Sequence, residues 1–143
     1  EQSDCLEVPA VACRPRRPEV LDAGCGTGAL STEIVNHVAP AVVAGIDASS
    51  GFIDEARRRL PAGIDLRVGD AQSLPFVSDS FDVVVSGIAL NFVPDAELAV
   101  REMRRVARTG GAVGVYLWDA QLPHAADGSI RLQSRAWAVA GTL

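Results

Sequence analysis

The run Val20-Leu21-Asp22-Ala23-Gly24-Cys25-Gly26-Thr27-Gly28 limits the possible folds of this chain more than any other stretch. An apolar strand runs into a carboxylate and then into glycines at alternate positions. Glycine has no Cβ, so it can adopt positive φ and let a main chain approach a ligand closely. The helix expected next presents unpaired N–H groups at its start. The segment reads as a strand-to-helix turn against which a nucleotide-like ligand can lie.

Gly24 to Ala29 also satisfies the dinucleotide pattern G-x-G-x-x-G/A. Asp22 separates the possible ligands. A carboxylate beside a pyrophosphate sets like charge against like charge, costing on the order of 1–4 kcal/mol even with solvent screening. A ligand carrying an ammonium and a sulfonium finds the same carboxylate attractive, and S-adenosylmethionine is such a ligand.

With 143 residues the chain can hold one domain with a single core. The net charge of −5 argues against a general nucleic-acid binder, whose footprint is a basic face. All 13 basic residues are arginine, a bias that no single site requires. Cys5, Cys13 and Cys25 form no C-x-x-C pair and leave one thiol unpaired, which fits a reducing cytoplasm. No metal site is expected. No apolar run reaches the roughly 18 residues of a membrane span.

Pro9, Pro15 and Pro18 with Arg14, Arg16 and Arg17 predict a loosely attached arm over residues 1–18. From residue 19 strands and helices alternate, so residues 19–143 are read as the domain. Leu30, Ile34 and Val38 form one helical stripe. Val42 to Ile46 is the second strand, ending in Asp47. Ser49 or Ser50 can cap a helix that turns Ile53, Ala56 and Leu60 inward. Ile64 to Val68 alternates as an edge strand does, whereas Val83-Val84-Val85 suits a strand covered on both faces. The helix after Pro94 places Ala99, Met103, Val106 and Ala107 on one face, and its arginines on a solvated one. Gly110-Gly111 is expected to end it, Ala112 to Trp118 to form a fifth strand, and Ser129 to Ala140 a last helix.

This alternation predicts a Rossmann-like, doubly wound, mainly parallel sheet with right-handed crossovers. Ligands of such sheets bind outside the carboxyl ends of the strands. Asp22, Asp47, Asp70, Ser86 and Trp118-Asp119 all fall there. Asp47, about twenty residues past the glycine turn, can accept from both ribose hydroxyls of an adenosine, a role that would also suit NAD.

Together with Gly69-Asp70-Ala71-Gln72-Ser73-Leu74-Pro75-Phe76, Phe81-Asp82-Val83-Val84 and Ser86 to Phe92, the glycine segment resembles the class I S-adenosylmethionine-dependent methyltransferases. The resemblance covers roughly residues 19–119 and points to the small-molecule branch near the ubiquinone and menaquinone enzymes. It implies the strand order 3-2-1-4-5. It also implies a donor held by Asp22, Gly24, Cys25, Gly26, Gly28, Asp47, Ala48, Asp70, Ala71 and Ser86. Asp70 would accept from the adenine amino group, with the Ala71 N–H on the ring. Asn91 and Phe92 would border the methyl acceptor, a small organic molecule. Cys25 is read as a small residue in a tight turn, not a nucleophile.

Methyl transfer from a sulfonium asks mainly for alignment, worth roughly 7–11 kcal/mol in favourable systems. No catalytic base is assigned. His37 is read as structural, and His124 lies nearer the expected site. Members of the resembled family carry N-terminal lid helices and strands beyond the fifth. A truncated or divergent form is therefore expected, with the later strands absent and the fifth covered by the terminal helix or a second copy of the chain. Two other readings stay open. One is a non-catalytic or degenerate S-adenosylmethionine-binding domain. The other is a nicotinamide-dependent oxidoreductase, disfavoured by Asp22, by Asp70 and by the absence of lysine for a Tyr-Lys pair.

Overall fold

The strand–helix alternation is present in the computed structural model, which describes residues 16–117 and the backbone of 139–142. In chain order the elements are β1 (Glu19–Ala23), α1 (Ala29–Val38), β2 (Val42–Asp47), α2 (Ser50–Arg59), β3 (Asp65–Val68) and β4 (Phe81–Gly87). A 3-10 turn over Ala89–Asn91, α3 (Ala96–Val106), β5 (Ala107–Tyr116) and β6 (Val139–Thr142) follow. The sheet order is β3-β2-β1-β4-β5-β6. The first five strands are mutually parallel, in the order 3-2-1-4-5 that the family resemblance implies.

β1 lies at the centre because it is apolar on both faces. Leu21 and Ala23 join the cluster that contains Met103 and Val106 of α3, while Val20 packs with Ile34 of α1. The alternation of Cβ direction along a strand produces this division. Ser49 caps α2 by accepting from the Phe52 amide at 3.3 Å, and Ile53, Ala56 and Leu60 are all buried. The stripe of α1 is shifted from the expected one. Leu30, Ile34 and Val35 pack on the sheet, whereas Val38 in the last turn is exposed. β3 is an edge strand with Leu66 turned inward and Val68 exposed.

Two expectations are corrected. The third helix ends at Val106, and the chain enters β5 at Ala107 with no loop between them. Gly110-Gly111 marks an irregularity inside the strand instead. The register passes from Phe81↔Ala107 to Val83↔Ala112, so β5 carries extra residues opposite Asp82. A Cβ on Gly111 would sit 2.7 Å from the Asp82 carbonyl oxygen, which only glycine avoids. Arg108 clamps the irregularity, donating to Asp82 at 2.9 Å and to Glu19 at 3.0 Å.

The second correction concerns the end of the chain. Residues 139–142 form β6, antiparallel to β5 over Ala112–Val115, where the sequence suggested helix up to Ala140 and no later strand. The β5 edge expected to be covered by a helix or another copy is paired there by the chain itself. Trp118, Asp119, His124, the remainder of the expected last helix and most of the Pro/Arg-rich arm lie outside the described residues.

Candidate functional site

The carboxyl ends of β1, β2 and β4 open on a cavity of about 460 Å³. One side is formed by Gly24, Gly26, Asp47, Ala48, Gly69, Asp70 and Ala71. The other is apolar, formed by Gly87, Ile88, Ala89, Phe92, Val93 and Pro94, and Phe52 and Gln72 complete the lining.

The glycine turn serves two different needs. Gly24 has φ +80°, and a Cβ there would fall 2.1 Å from the Cβ of Ala89, so the absent side chain lets the 3-10 turn close against β1. Gly26 has φ +54°, and its Cβ position meets nothing within 4 Å. That space belongs to the cavity.

The Gly24, Cys25, Gly26 and Gly28 amides of this turn are already engaged. Gly24 and Cys25 both donate to the Ile46 carbonyl at 2.8 and 2.9 Å, and Gly28 donates to the Cys25 carbonyl at 2.9 Å. Gly26 donates to Asp47 Oδ2 at 2.9 Å. A pyrophosphate bed needs such amides free and pointing at the ligand. Here they close the turn on itself, and one of them binds a carboxylate. Asp47 Oδ1 also accepts from Ser49 at 2.9 Å, so the acid is held rigidly. Each of its oxygens retains a lone pair for a further donor.

Asp70 sits on the exposed side of the same wall. Its Oδ1 accepts from the Gln72 amide at 2.8 Å, and both oxygens accept from Gln72 Nε2 at 3.1 Å. The loop that follows is strapped to α3. Glu102 accepts from the Leu74 amide at 2.9 Å, and Arg105 donates to the Leu74 and Phe76 carbonyls at 3.0 and 2.8 Å.

Asp22, Cys25, Gly28 and Ser86 lie behind the cavity wall. Asp22 is fully buried and accepts from Ser31 Oγ at 2.6 Å, while its Oδ1 has no hydrogen-bond partner among the described residues. Burial pushes its pKa up to about 6, with the Ser31 hydrogen bonds opposing that rise and the Asp47 charge adding to it. Ser86 is also buried with an unpartnered Oγ, 3.9 Å from the Cβ position of Gly24. Two buried polar groups without partners among the described residues, close to the Gly24 turn that lines the cavity, fit a polar ligand end. Cys25 packs against Gly45, and burial with the neighbouring Asp22 and Asp47 charges pushes its thiol up to about 12. A thiol so placed is no nucleophile at neutral pH. Gly28 caps α1 against Leu60.

Of the residues expected at the site, Gly24, Gly26, Asp47, Ala48, Asp70 and Ala71 therefore share one cavity wall. Phe92 is 80% exposed and lines the opposite side. Asn91 is exposed in the same turn but is not part of the lining. Phe52, Gln72, Val93 and Pro94 were not among the residues expected to line it. Phe52 carries a signal, since it stands outside the Ile53-Ala56-Leu60 stripe of α2, but Gln72 has none. His37 pairs with Glu33 at 3.1 Å on the exposed face of α1, away from the cavity.

Fold and site together define a Rossmann-like α/β domain with a cavity at the carboxyl ends of its strands. The chain belongs to the methyltransferase domain family, whose model matches residues 21–115. It is 38% identical over 101 residues to the demethylmenaquinone methyltransferase of Lactobacillus johnsonii, covering 66% of this chain and 41% of that protein. It is 37% identical over 97 residues to the chloroplastic 2-methyl-6-phytyl-1,4-hydroquinone methyltransferase 2 of Oryza sativa subsp. japonica, covering 67% of this chain and 28% of that one. A solved S-adenosylmethionine-dependent methyltransferase from Mesorhizobium loti superposes with a TM-score of 0.65 at 28% identity, covering 72% of this chain and 48% of that one. The chain thus spans less than half the length of these relatives. No helix among the described residues is long and apolar enough to cross a membrane.

Proposed function

We propose that this chain is the donor-binding domain of an S-adenosylmethionine-dependent methyltransferase that acts on a small, apolar organic acceptor of the quinol type. The observation that carries this reading is the pairing of engaged turn amides with carboxylates at the same cavity end. Gly26 N–H points at Asp47, and Asp22 stands behind the turn. Such a site repels a pyrophosphate and attracts a ligand with hydroxyls at one end and a cation at the other.

Asp47 accepts the ribose hydroxyls through its remaining lone pairs. Asp70 accepts the adenine amino group, and the Ala71 N–H meets the ring edge. Gly26 leaves the space that the ligand fills. Asp22 Oδ1 and Ser86 Oγ serve the methionine end from beneath the turn, and the arriving ammonium favours the ionised form of Asp22. The donor supplies a methyl group on a sulfonium, which is already a good leaving group. The wall of Ile88, Ala89, Phe92, Val93 and Pro94 orients the acceptor and excludes water. No residue of that wall is titratable, so alignment dominates over proton transfer by the protein in this half of the site. An acidic chain with a single buried thiol among its described residues suits the cytoplasm.

Transfer is tested with S-adenosylmethionine carrying a tritiated methyl group and a polyprenyl naphthohydroquinone as acceptor. Label is expected in the organic phase. Saturable donor binding with no label transferred to any phenol or quinol would leave a binding domain in place of a transferase.

A further inference from the structure

Gln72 lines the cavity with its carboxamide fully committed. Nε2 donates to both oxygens of Asp70 at 3.1 Å, and Oε1 accepts from the Asp95 amide at 3.0 Å. A backbone amide can only donate, so the carboxamide oxygen must face Asp95 and the NH₂ must face Asp70. The orientation follows from chemistry alone.

Asp95 is a firm anchor. It caps α3 by accepting from the Leu98 amide at 2.9 Å. α3 is fixed to the sheet by Ala99, Met103 and Val106, all fully buried. The residues just before Asp95 are Phe92, Val93 and Pro94, the rim of the apolar wall. Gln72 therefore joins the carboxylate side of the cavity to the apolar side. Without that side chain Asp70, which is exposed, would be held among the described residues only by the residue-72 backbone amide at 2.8 Å.

We propose that Gln72 is the positioning residue that aims Asp70 at the exocyclic amino group of the ligand's purine, by bracing that carboxylate on the N-terminus of α3. The proposal rests on Asp70 being the adenine acceptor. Gln72 makes no contact with the reacting atoms. It makes the site read adenine, because a fixed carboxylate accepts from an amino group and is left facing an oxo group when that group is absent. A mobile one can turn away from the mismatch.

The test compares binding of S-adenosylhomocysteine and S-inosylhomocysteine, in which an oxo group replaces the 6-amino group. Gln72→Met removes both contacts at similar size. Gln72→Glu keeps an oxygen for the Asp95 amide and loses the donors to Asp70. Wild type is expected to favour the adenosyl ligand at least about tenfold. Both variants should lose most of that preference while the thermal midpoint stays near wild type. A purely structural Gln72 would weaken both ligands alike, so an unchanged ratio in both variants overturns this role and leaves the donor reading intact. Equal binding of the two ligands to wild type overturns the assignment of Asp70, and this proposal with it.

Discussion

The amide of Gly26 donates to the carboxylate of Asp47 across 2.9 Å, joining the β1–α1 turn to the end of β2. A turn that commits a central amide to an acid of its own cannot offer that amide to a phosphate. The same contact fixes Asp47 at the mouth of the cavity. Asp47→Ala removes the ribose acceptor and strands the Gly26 amide. Affinity for S-adenosylhomocysteine should fall at least about a hundredfold, since hydrogen bonds to a charged group are each worth about 1.5–3 kcal/mol. Isothermal calorimetry on the purified variant measures it.

Gly24 and Gly26 should respond to alanine in opposite ways. At Gly24 the new methyl would overlap Ala89 at 2.1 Å, so Gly24→Ala should destabilise the fold by several kcal/mol, on the order of the largest single-site effects. At Gly26 no atom stands within 4 Å, and only positive φ opposes the change, at about 1 kcal/mol. Gly26→Ala should fold with a modest loss in urea and yet fail to bind the adenosyl ligand.

Asp22 has a raised pKa in the folded protein, from 3.8 to about 6, caused first by burial. Well below the unfolded value of 3.8 the carboxyl is protonated whether folded or unfolded, and the group has no effect on stability. As pH rises from about 3 to 6 the unfolded chain ionises first, so the folded state loses up to about 3 kcal/mol and does not recover it at higher pH. Asp22→Asn should therefore be more stable than wild type at pH 7.5 and no more stable at about pH 3. Urea titrations at the two values decide this. The same variant should bind S-adenosylhomocysteine more weakly at pH 7.5, because the ammonium loses its counter-charge.

Ile88 is a β-branched residue at φ +66°, held there by its amide donating to the Tyr116 carbonyl at 2.7 Å. Left-handed backbone costs an L-residue about 1–2 kcal/mol, and strain of this kind collects at ligand sites. Ile88→Gly should keep or raise the thermal midpoint and raise the KM for the acceptor, whose apolar wall loses a side chain. A fall in stability without a change in KM would assign Ile88 to the core.

The sheet order came from the family resemblance, whereas the Ser49 cap and the inward face of α2 were legible because each depends on residues close in sequence. The end of α3 was not. A glycine pair after a helix usually signals a stop, yet here Gly111 clears the Asp82 carbonyl inside a strand, a contact made across the sheet. β6 was hidden for a similar reason, since its pairing with β5 is a long-range register and not a local pattern. At the site, strand-end acids were easy to find, but the depth of each was not. Asp47 and Asp70 line the cavity, whereas Asp22 turns under the turn toward Ser31. The bracing of Asp70 by Gln72 depends on where α3 begins in space, which no spacing along the chain encodes.

The most direct measurement is calorimetric titration of the wild-type chain with S-adenosylhomocysteine, using NAD as the control. Micromolar binding of the former with no detectable heat from the latter is the predicted result. Binding of NAD in its place would contradict the account, because it would require a pyrophosphate to settle on a turn whose amides are engaged and whose nearest side chains are acids.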